Sequence, residues 1–209
     1  MADIVRRIGL LGGTFDPFHF GHINLGLELQ EKHDLDEVIV CPAATSPFKT
    51  AQSPLASAGQ RLQMAQIATE GVKGWRAIDW ELKREGPSYT IDTVRAIRAE
   101  AEKNKEKIAL YLLLGEDILD KLSEWKEVEM LLDLAQPLIG CRDKGKNHSS
   151  TTECLPPVLE KVCLQGMTPT RVFDVSSTLI RDRLKRKLYC GHLLPAKILD
   201  FIYQHQLYL

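Results

Sequence analysis

A parallel α/β sheet with helices on its faces is the fold class this sequence predicts, and three observations carry it. Strand-like and helix-like segments alternate from end to end of the 209 residues, the signature of a parallel sheet. Ile108 to Leu114 is an unbroken apolar run, as expected of a strand covered on both faces. A glycine-rich turn at Gly12-Gly13 joins a strand-like segment to a helix-like one, which is where such sheets bind ligands.

In order, Ile4–Leu11 reads as a strand, Ile23–Lys32 as a helix and Asp36–Cys41 as a second strand. A loop rich in Pro and Ser follows from Pro42 to Pro54. Ser57 and Gln60 form a capping-box pattern for a helix reaching about Glu70, where Gly71 and Gly74 stop it. Ala77–Leu82 alternates as a strand, and Gly86-Pro87 turns the chain into a helix from Tyr89 to about Lys103. After the Ile108–Leu114 strand come a helix around Trp125–Leu134 and a short strand, Leu138–Cys141. Arg142–Glu153 is a polar surface loop. Val172–Val175 is expected as the last strand. It precedes a helix from Ser176 to about Lys187 and a final helix near Pro195, a residue suited to a first helical position.

Composition sets bounds. A hydrophobic share of 44% and a charged share of 26% are those of an ordinary globular chain, and the length suits a single domain. A formal net charge of −1 gives no general attraction to nucleic acid or anionic membranes. Asp3, Arg6 and Arg7 interrupt the start before any signal-like apolar stretch. Five cysteines without a CxxC pair argue against a disulfide framework or structural zinc, and for a reducing, cytoplasmic setting.

The chemistry concentrates in Gly12-Gly13-Thr14-Phe15-Asp16-Pro17-Phe18-His19-Phe20-Gly21-His22. Glycines let a backbone turn tightly and approach a bulky ligand. A helix start just downstream offers unpaired N–H groups to anions, and His19 and His22 share one side of its first turn. An ordinary strand-to-helix turn would explain the glycines but not the HxGH spacing and Asp16-Pro17 in the same window. A phosphate cradle explains all of them. A second constellation, Ser176-Ser177-Thr178-Leu179-Ile180-Arg181, sets hydroxyls at a helix start and an arginine one turn on, suited to polyphosphate. Taken alone, it could equally be a serine cap beside a solvated arginine.

Together, GGTFDPFHFGH and SSTLIR resemble the signatures of the HxGH nucleotidyltransferase superfamily. Within it the chain is most similar to the bacterial nicotinate-nucleotide adenylyltransferases. Arg84-Glu85-Gly86-Pro87-Ser88-Tyr89-Thr90 with Asp92-Thr93, Gly115-Glu116-Asp117, Trp125 and the ending Gln206-Leu207-Tyr208 extend the likeness over nearly the whole chain. The resemblance implies a Rossmann-like sheet of nucleotidyltransferase type, with the C-terminal helical part from about residue 176 completing an ATP site. It implies adenylyl transfer from ATP to nicotinate mononucleotide, giving deamido-NAD and pyrophosphate, with Mg²⁺ accompanying ATP. His19, His22 and Arg181 would be catalytic. Gly12, Gly13, Thr14, Phe15, Ser177 and Thr178 would join them in binding ATP. Lys49, Tyr89, Thr90, Asp117, Trp125 and Lys126 would receive the nicotinate nucleotide, and no protein metal ligand is expected. The partners are small molecules, with neither nucleic acid nor membrane, and the oligomeric state stays open. One departure stands out: where the family has Pro-Pro-His followed by a basic residue, this chain has Ser46-Pro47-Phe48-Lys49. Phe48 can neither donate a hydrogen bond nor carry charge, which leaves Lys49 to compensate.

Three rival readings exist. A nucleic-acid-binding module is disfavoured by the near-neutral charge and the absence of an aromatic-basic pattern. Another adenylyl- or cytidylyltransferase, such as one acting on phosphopantetheine, would share the HxGH segment but has no reason to carry GPSYT, GED and Trp125 in this order. A nucleotide sensor on the same fold would be favoured by loss of a signature histidine, and both are present.

Overall fold

The structure is a computed structural model that describes residues 5–44, 53–84, 86–142, 152, 155–171 and 173–209. Its sheet has six strands in the order β3-β2-β1-β4-β5-β6. These are β1 (Arg6–Gly13), β2 (Glu37–Pro42), β3 (Trp75–Ala77), β4 (Ile108–Gly115), β5 (Gln136–Cys141) and β6 (Met167–Pro169). β1 pairs in parallel with β4 in the register Ile8 to Leu110, β4 with β5 as Leu113 to Leu138, and β5 with β6 as Gly140 to Thr168. Helices α1 (Phe20–Lys32), α2 (Ala58–Thr69) and α3 (Thr90–Lys103) alternate with the first strands. After β4 come a 3₁₀ turn (Glu116–Ile118), α4 (Leu119–Leu122) and α5 (Val128–Leu134). Later come α6 (Pro157–Gly166), α7 (Ser177–Lys185) and α8 (Ala196–Gln204). The parallel α/β expectation holds.

Contacts divide the chain into two compact units. One comprises residues 1–11, 25–38 and 89–172; the other comprises 12–24, 39–88 and 173–209. In the first, Leu110, Leu112, Leu113, Leu138 and Ile139 are buried, and β4 and β5 read apolar almost throughout because successive residues, which point to opposite faces, are both covered there. In the second, Ile39, Val40, Met64, Ile180, Ile198 and Ile202 form the core. The capping box forms as the sequence implies. Ser57 Oγ accepts from the Gln60 N–H at 3.3 Å, and the Ser57 N–H donates to Gln60 Oε1 at 2.8 Å, satisfying two donors at the start of α2.

Three expectations need correction. The strand expected over Ala77–Leu82 is β3, ending at Ala77. Beyond it Ile78 still donates to Val40 O, but Lys83 N–H then closes onto Asp79 O and Arg84 N–H onto Glu81 O, making turns. Residues 173–175 of the expected last strand are irregular, and Phe173 is exposed; Val172 lies outside the described residues. The sixth strand is Met167–Pro169, after which Thr170 donates one more bond to Cys141 O. The helix expected from Trp125 begins only at Val128, because Glu127 adopts a left-handed backbone with φ 50°. The polar stretch expected as a loop after Arg142 falls largely outside the described residues, whereas α6, just after it, was not anticipated.

Candidate active site

β1 delivers the glycine turn. At Gly13 a Cβ would lie 2.8 Å from the Phe15 ring, so no larger residue lets Phe15 fold back in its left-handed conformation, φ 53°. At Gly12 nothing lies within 4 Å of a built Cβ, leaving backbone open to a ligand. The Asp16–Pro17 peptide is cis. Asp16 is buried and its carboxylate accepts three hydrogen bonds: from Leu55 N–H at 2.9 Å, Ala56 N–H at 3.0 Å and the Tyr208 hydroxyl at 2.6 Å. Arg61, just 2% exposed, braces the turn from α2. Its Nη1 donates to Thr14 O at 2.9 Å and Ala43 O at 2.5 Å, and Nη2 donates to Ala44 O at 3.1 Å. Sequence reasoning singled out neither Arg61 nor the Tyr208 hydroxyl. The one signal for Arg61 was a cation on a helix face otherwise carrying Met64, Ala65 and Ala68.

The two histidines stack, with ring centroids 3.7 Å apart and planes 21° from parallel. His19 N–H donates to His22 Nδ1 at 3.2 Å, which assigns the His22 proton to Nε2 when the ring is neutral. Phe15 and Phe18 each hold the His22 ring at 5.0 Å. His19 is 5% exposed, and burial lowers its pKa to about 4, so its imidazole is neutral at pH 7. Among the described residues His19 Nδ1 has no hydrogen-bond partner. A Cβ at Gly21 would lie 3.1 Å from His19 Cε1, 3.1 Å from His19 Nδ1 and 3.1 Å from Val175 Cγ1. The glycine of HxGH is therefore space for the first histidine.

The second signature docks onto the first across 160 residues: Ser177 Oγ donates to Pro17 O at 2.9 Å. Arg181 Nη1 donates to Asp16 O at 2.7 Å, and its Nη2 to Thr178 Oγ1 at 3.1 Å. Ser176 caps α7 by accepting from Leu179 N–H at 3.2 Å. Gly12, Gly13, Thr14, Phe15, His19, His22, Ser177, Thr178 and Arg181 thus belong to one compact unit.

Tyr89, Thr90, Asp117, Trp125 and Lys126 belong to the other unit. Thr90 is the first residue of α3, where backbone N–H groups lack intrahelical partners. Lys126 Nζ sits 4.5 Å over the Tyr89 ring and 3.7 Å from Asp92 Oδ2. A Cβ at Gly115 would meet Asp117 Oδ1 at 2.4 Å, so this glycine lets Asp117 fold back over the end of β4. Trp125 is half-buried in the turn before α5, and its indole N–H has no partner among the described residues. Phe48 and Lys49 lie outside the described residues.

The donor chemistry bears on a metal. Both Asp16 oxygens are engaged by protein donors. Among the described residues, no group of three or more His, Cys, Asp or Glu could hold an ion. No helix among the described residues is long and apolar enough to cross a membrane.

Comparison with known proteins agrees with these signatures. The model of the cytidylyltransferase-like family matches residues 10–183. A probable nicotinate-nucleotide adenylyltransferase of Dehalococcoides mccartyi is 34% identical over 206 residues, covering 97% of each chain. Another, of Methylacidiphilum infernorum, is 32% identical over 203 residues, covering 97% of this chain and 92% of that one. Among solved structures, Plasmodium falciparum nicotinic acid mononucleotide adenylyltransferase complexed with APC superposes with a TM-score of 0.72. It has 18% identity and 97% of each chain is covered, a likeness of fold.

Proposed function

We propose that this chain, which belongs to the cytidylyltransferase-like family and within it to the nicotinate-nucleotide adenylyltransferases, joins nicotinate mononucleotide to ATP in NAD biosynthesis. An oxygen of the mononucleotide phosphate bonds to the α-phosphorus of ATP while the bond from that phosphorus to the bridging oxygen breaks. Deamido-NAD and pyrophosphate leave. The attacking oxygen is already anionic at neutral pH, so the step needs no protein nucleophile and no covalent intermediate. Positioning and charge stabilisation supply the catalysis.

In this reading Gly12 to Phe15 present backbone groups to the nucleotide. His19 and His22 donate ring N–H bonds to phosphate oxygens, where they stabilise the charge that grows during transfer. Arg181, already tethered by one Nη to Asp16 O, offers its guanidinium to the departing phosphates. Ser177 spends its hydroxyl proton on Pro17 O, so its share in binding falls to its backbone N–H. Both Asp16 oxygens are engaged by protein donors, so in this reading Mg²⁺ comes with ATP as the MgATP complex, its charge balanced by phosphates and water. Trp125 stacks on the pyridine ring. Backbone N–H groups at Thr90 and Lys126 donate to the nicotinate carboxylate, and an amide there would leave donors facing donors. Asp117 hydrogen-bonds ribose hydroxyls, Tyr89 flanks the same nucleotide, and Lys49 takes its phosphate. The setting is cytoplasmic.

The observation that carries the reading is the pair of bonds, Ser177 to Pro17 and Arg181 to Asp16, that assembles two distant signatures. The test is pyrophosphate release with ATP and Mg²⁺ on nicotinate mononucleotide, nicotinamide mononucleotide and phosphopantetheine. Strong preference for the first is expected. Turnover on phosphopantetheine alone would overturn the substrate, and silence on all three would overturn the chemistry.

A further inference from the structure

The last residues of the chain reach into the phosphate-binding turn. Tyr208 is 8% exposed, and its hydroxyl donates to Asp16 Oδ1 at 2.6 Å. Asp16 is the residue whose backbone carbonyl receives Arg181, and the next carbonyl, that of Pro17, receives Ser177. Its other donors, the Leu55 and Ala56 N–H groups, come from the segment leading into α2. Side chain and carbonyl of one residue therefore join the C-terminal tyrosine to the arginine that faces phosphate. Tyr208 itself has a left-handed backbone, φ 61°, preceded by Gln206 at φ 51°, and this bends the tail back beyond α8. Burial and the Asp16 carboxylate raise the Tyr208 pKa, so the donor persists at any working pH.

We propose that Tyr208 is a positioning residue for nucleotide binding: through Asp16 it fixes the turn that carries His19 and the carbonyl that orients Arg181. A carboxylate held by three donors cannot rotate without breaking one of them. Without the hydroxyl, Asp16 keeps one N–H of the Leu55–Ala56 segment on each oxygen and loses its tie to the tail, so the turn is free to shift together with that segment. Such a shift moves the carbonyl to which Arg181 is anchored. The loss falls on ATP recognition and transfer, and the nicotinate nucleotide is bound as before. The assignment rests on the adenylyltransferase reading above.

The experiment compares wild type with Y208F, D16A, which removes the acceptor, and the double variant, with Y203F as control because Tyr203 is an exposed residue of α8. Steady-state pyrophosphate release is measured at a temperature well below every melting point. Binding of a nonhydrolysable ATP analogue with Mg²⁺ is measured by calorimetry. Y208F should weaken analogue binding or lower kcat/KM for ATP by about tenfold, the scale of one hydrogen bond to a charged acceptor. KM for nicotinate mononucleotide should stay unchanged. In the D16A background the same substitution should cost less than about twofold, because partners in one interaction are not additive. If Y208F lowers the melting temperature and leaves both ATP readouts at wild-type values, Tyr208 is a packing residue and the proposal fails. If Y208F and D16A are additive, it does not act through Asp16 and the proposal fails. Wild type that binds the analogue but releases no pyrophosphate would instead refute the adenylyltransferase reading. Analogue binding by Y208F would still decide the role of Tyr208.

Discussion

Replacing Gly21 with alanine separates positioning from folding. The added Cβ lies 3.1 Å from two atoms of the His19 ring and 3.1 Å from Val175 Cγ1. Ordinary contact needs a few tenths of an ångström more, so these neighbours must yield by that much. The ring gives way, and it cannot move independently of His22, stacked at 3.7 Å. A 1 Å misplacement in a reacting constellation costs on the order of 10²-fold. A shift of a few tenths therefore predicts a loss of roughly three- to tenfold in kcat. Stability moves the other way or not at all. Gly21 lies in α1 with a backbone that L-residues adopt, and alanine there gains about 0.5–1 kcal/mol over glycine, offsetting the crowding. The assay is pyrophosphate release beside a thermal melt. Wild-type kcat in G21A would refute the claim that the glycine exists to make room for His19. A large drop in melting temperature would show that crowding is relieved by unfolding the helix start.

Further substitutions test other parts of the site. His19→Ala should lower kcat by about 10²–10³-fold, the range for losing one transition-state donor, with a much smaller loss of folded protein in urea titration; equal losses would make His19 structural. Because burial depresses the His19 pKa from 6.5 to about 4, the unfolded chain binds the extra proton first. Stability is therefore full above pH 6.5 and falls as pH drops toward 4, by about 3 kcal/mol in the limit. His19→Gln should flatten that part of a pH series of urea unfolding, and an unchanged slope would contradict a buried neutral ring. Trp125→Ala should raise KM for nicotinate mononucleotide roughly three- to tenfold, the worth of an aromatic stack, with KM for ATP unchanged. Equal change in both would remove Trp125 from the pyridine site.

What was legible in the sequence followed from local chemistry. The capping box at Ser57, the glycine turn and the apolar β4 each carry their cause within a few residues, so they could be read. The failures have two causes: local turns that override an alternating or helical pattern, and pairing with distant residues. Ala77–Leu82 alternates like a strand, yet past Ile78, which still donates to Val40 O, the Asp79 and Glu81 carbonyls capture the Lys83 and Arg84 N–H groups and turn the chain. β6 is three residues long, and its pairing rests on β5, so no periodicity announced it. α6 did leave signals that went unused. Pro156-Pro157 opens it and Gly166 ends it, where a Cβ would lie 2.1 Å from Pro137 O. In the site, the motifs named the residues that face a ligand but not those that hold them in place. Asp16 stands inside the first motif, whereas the third donor to its carboxylate sits 192 positions away at Tyr208.

Arg61 is the strongest case of a supporting residue hidden from sequence, and it yields a prediction with an order as well as a size. Its guanidinium meets three carbonyls, those of Thr14, Ala43 and Ala44. That needs a planar fork, which lysine does not possess. Burial lowers the Arg61 pKa, and the nearby Asp16 charge opposes that change, so the cation is kept by the carboxylate as well as by the carbonyls. Arg61→Lys retains the charge but loses at least one carbonyl partner, at about 1 kcal/mol or more. Arg61→Met fills similar volume and strands all three carbonyls and the Asp16 charge, at about 3 kcal/mol or more. Melting temperatures should therefore fall in the order wild type, lysine, methionine, the last by roughly 6–12 °C. Because Thr14 belongs to the turn that faces ATP, KM for ATP should rise in the same order. Methionine matching or exceeding wild type is the outcome that would sink this argument. It would mean that the carbonyls find water once the cation is gone, and that the fork is dispensable for the turn.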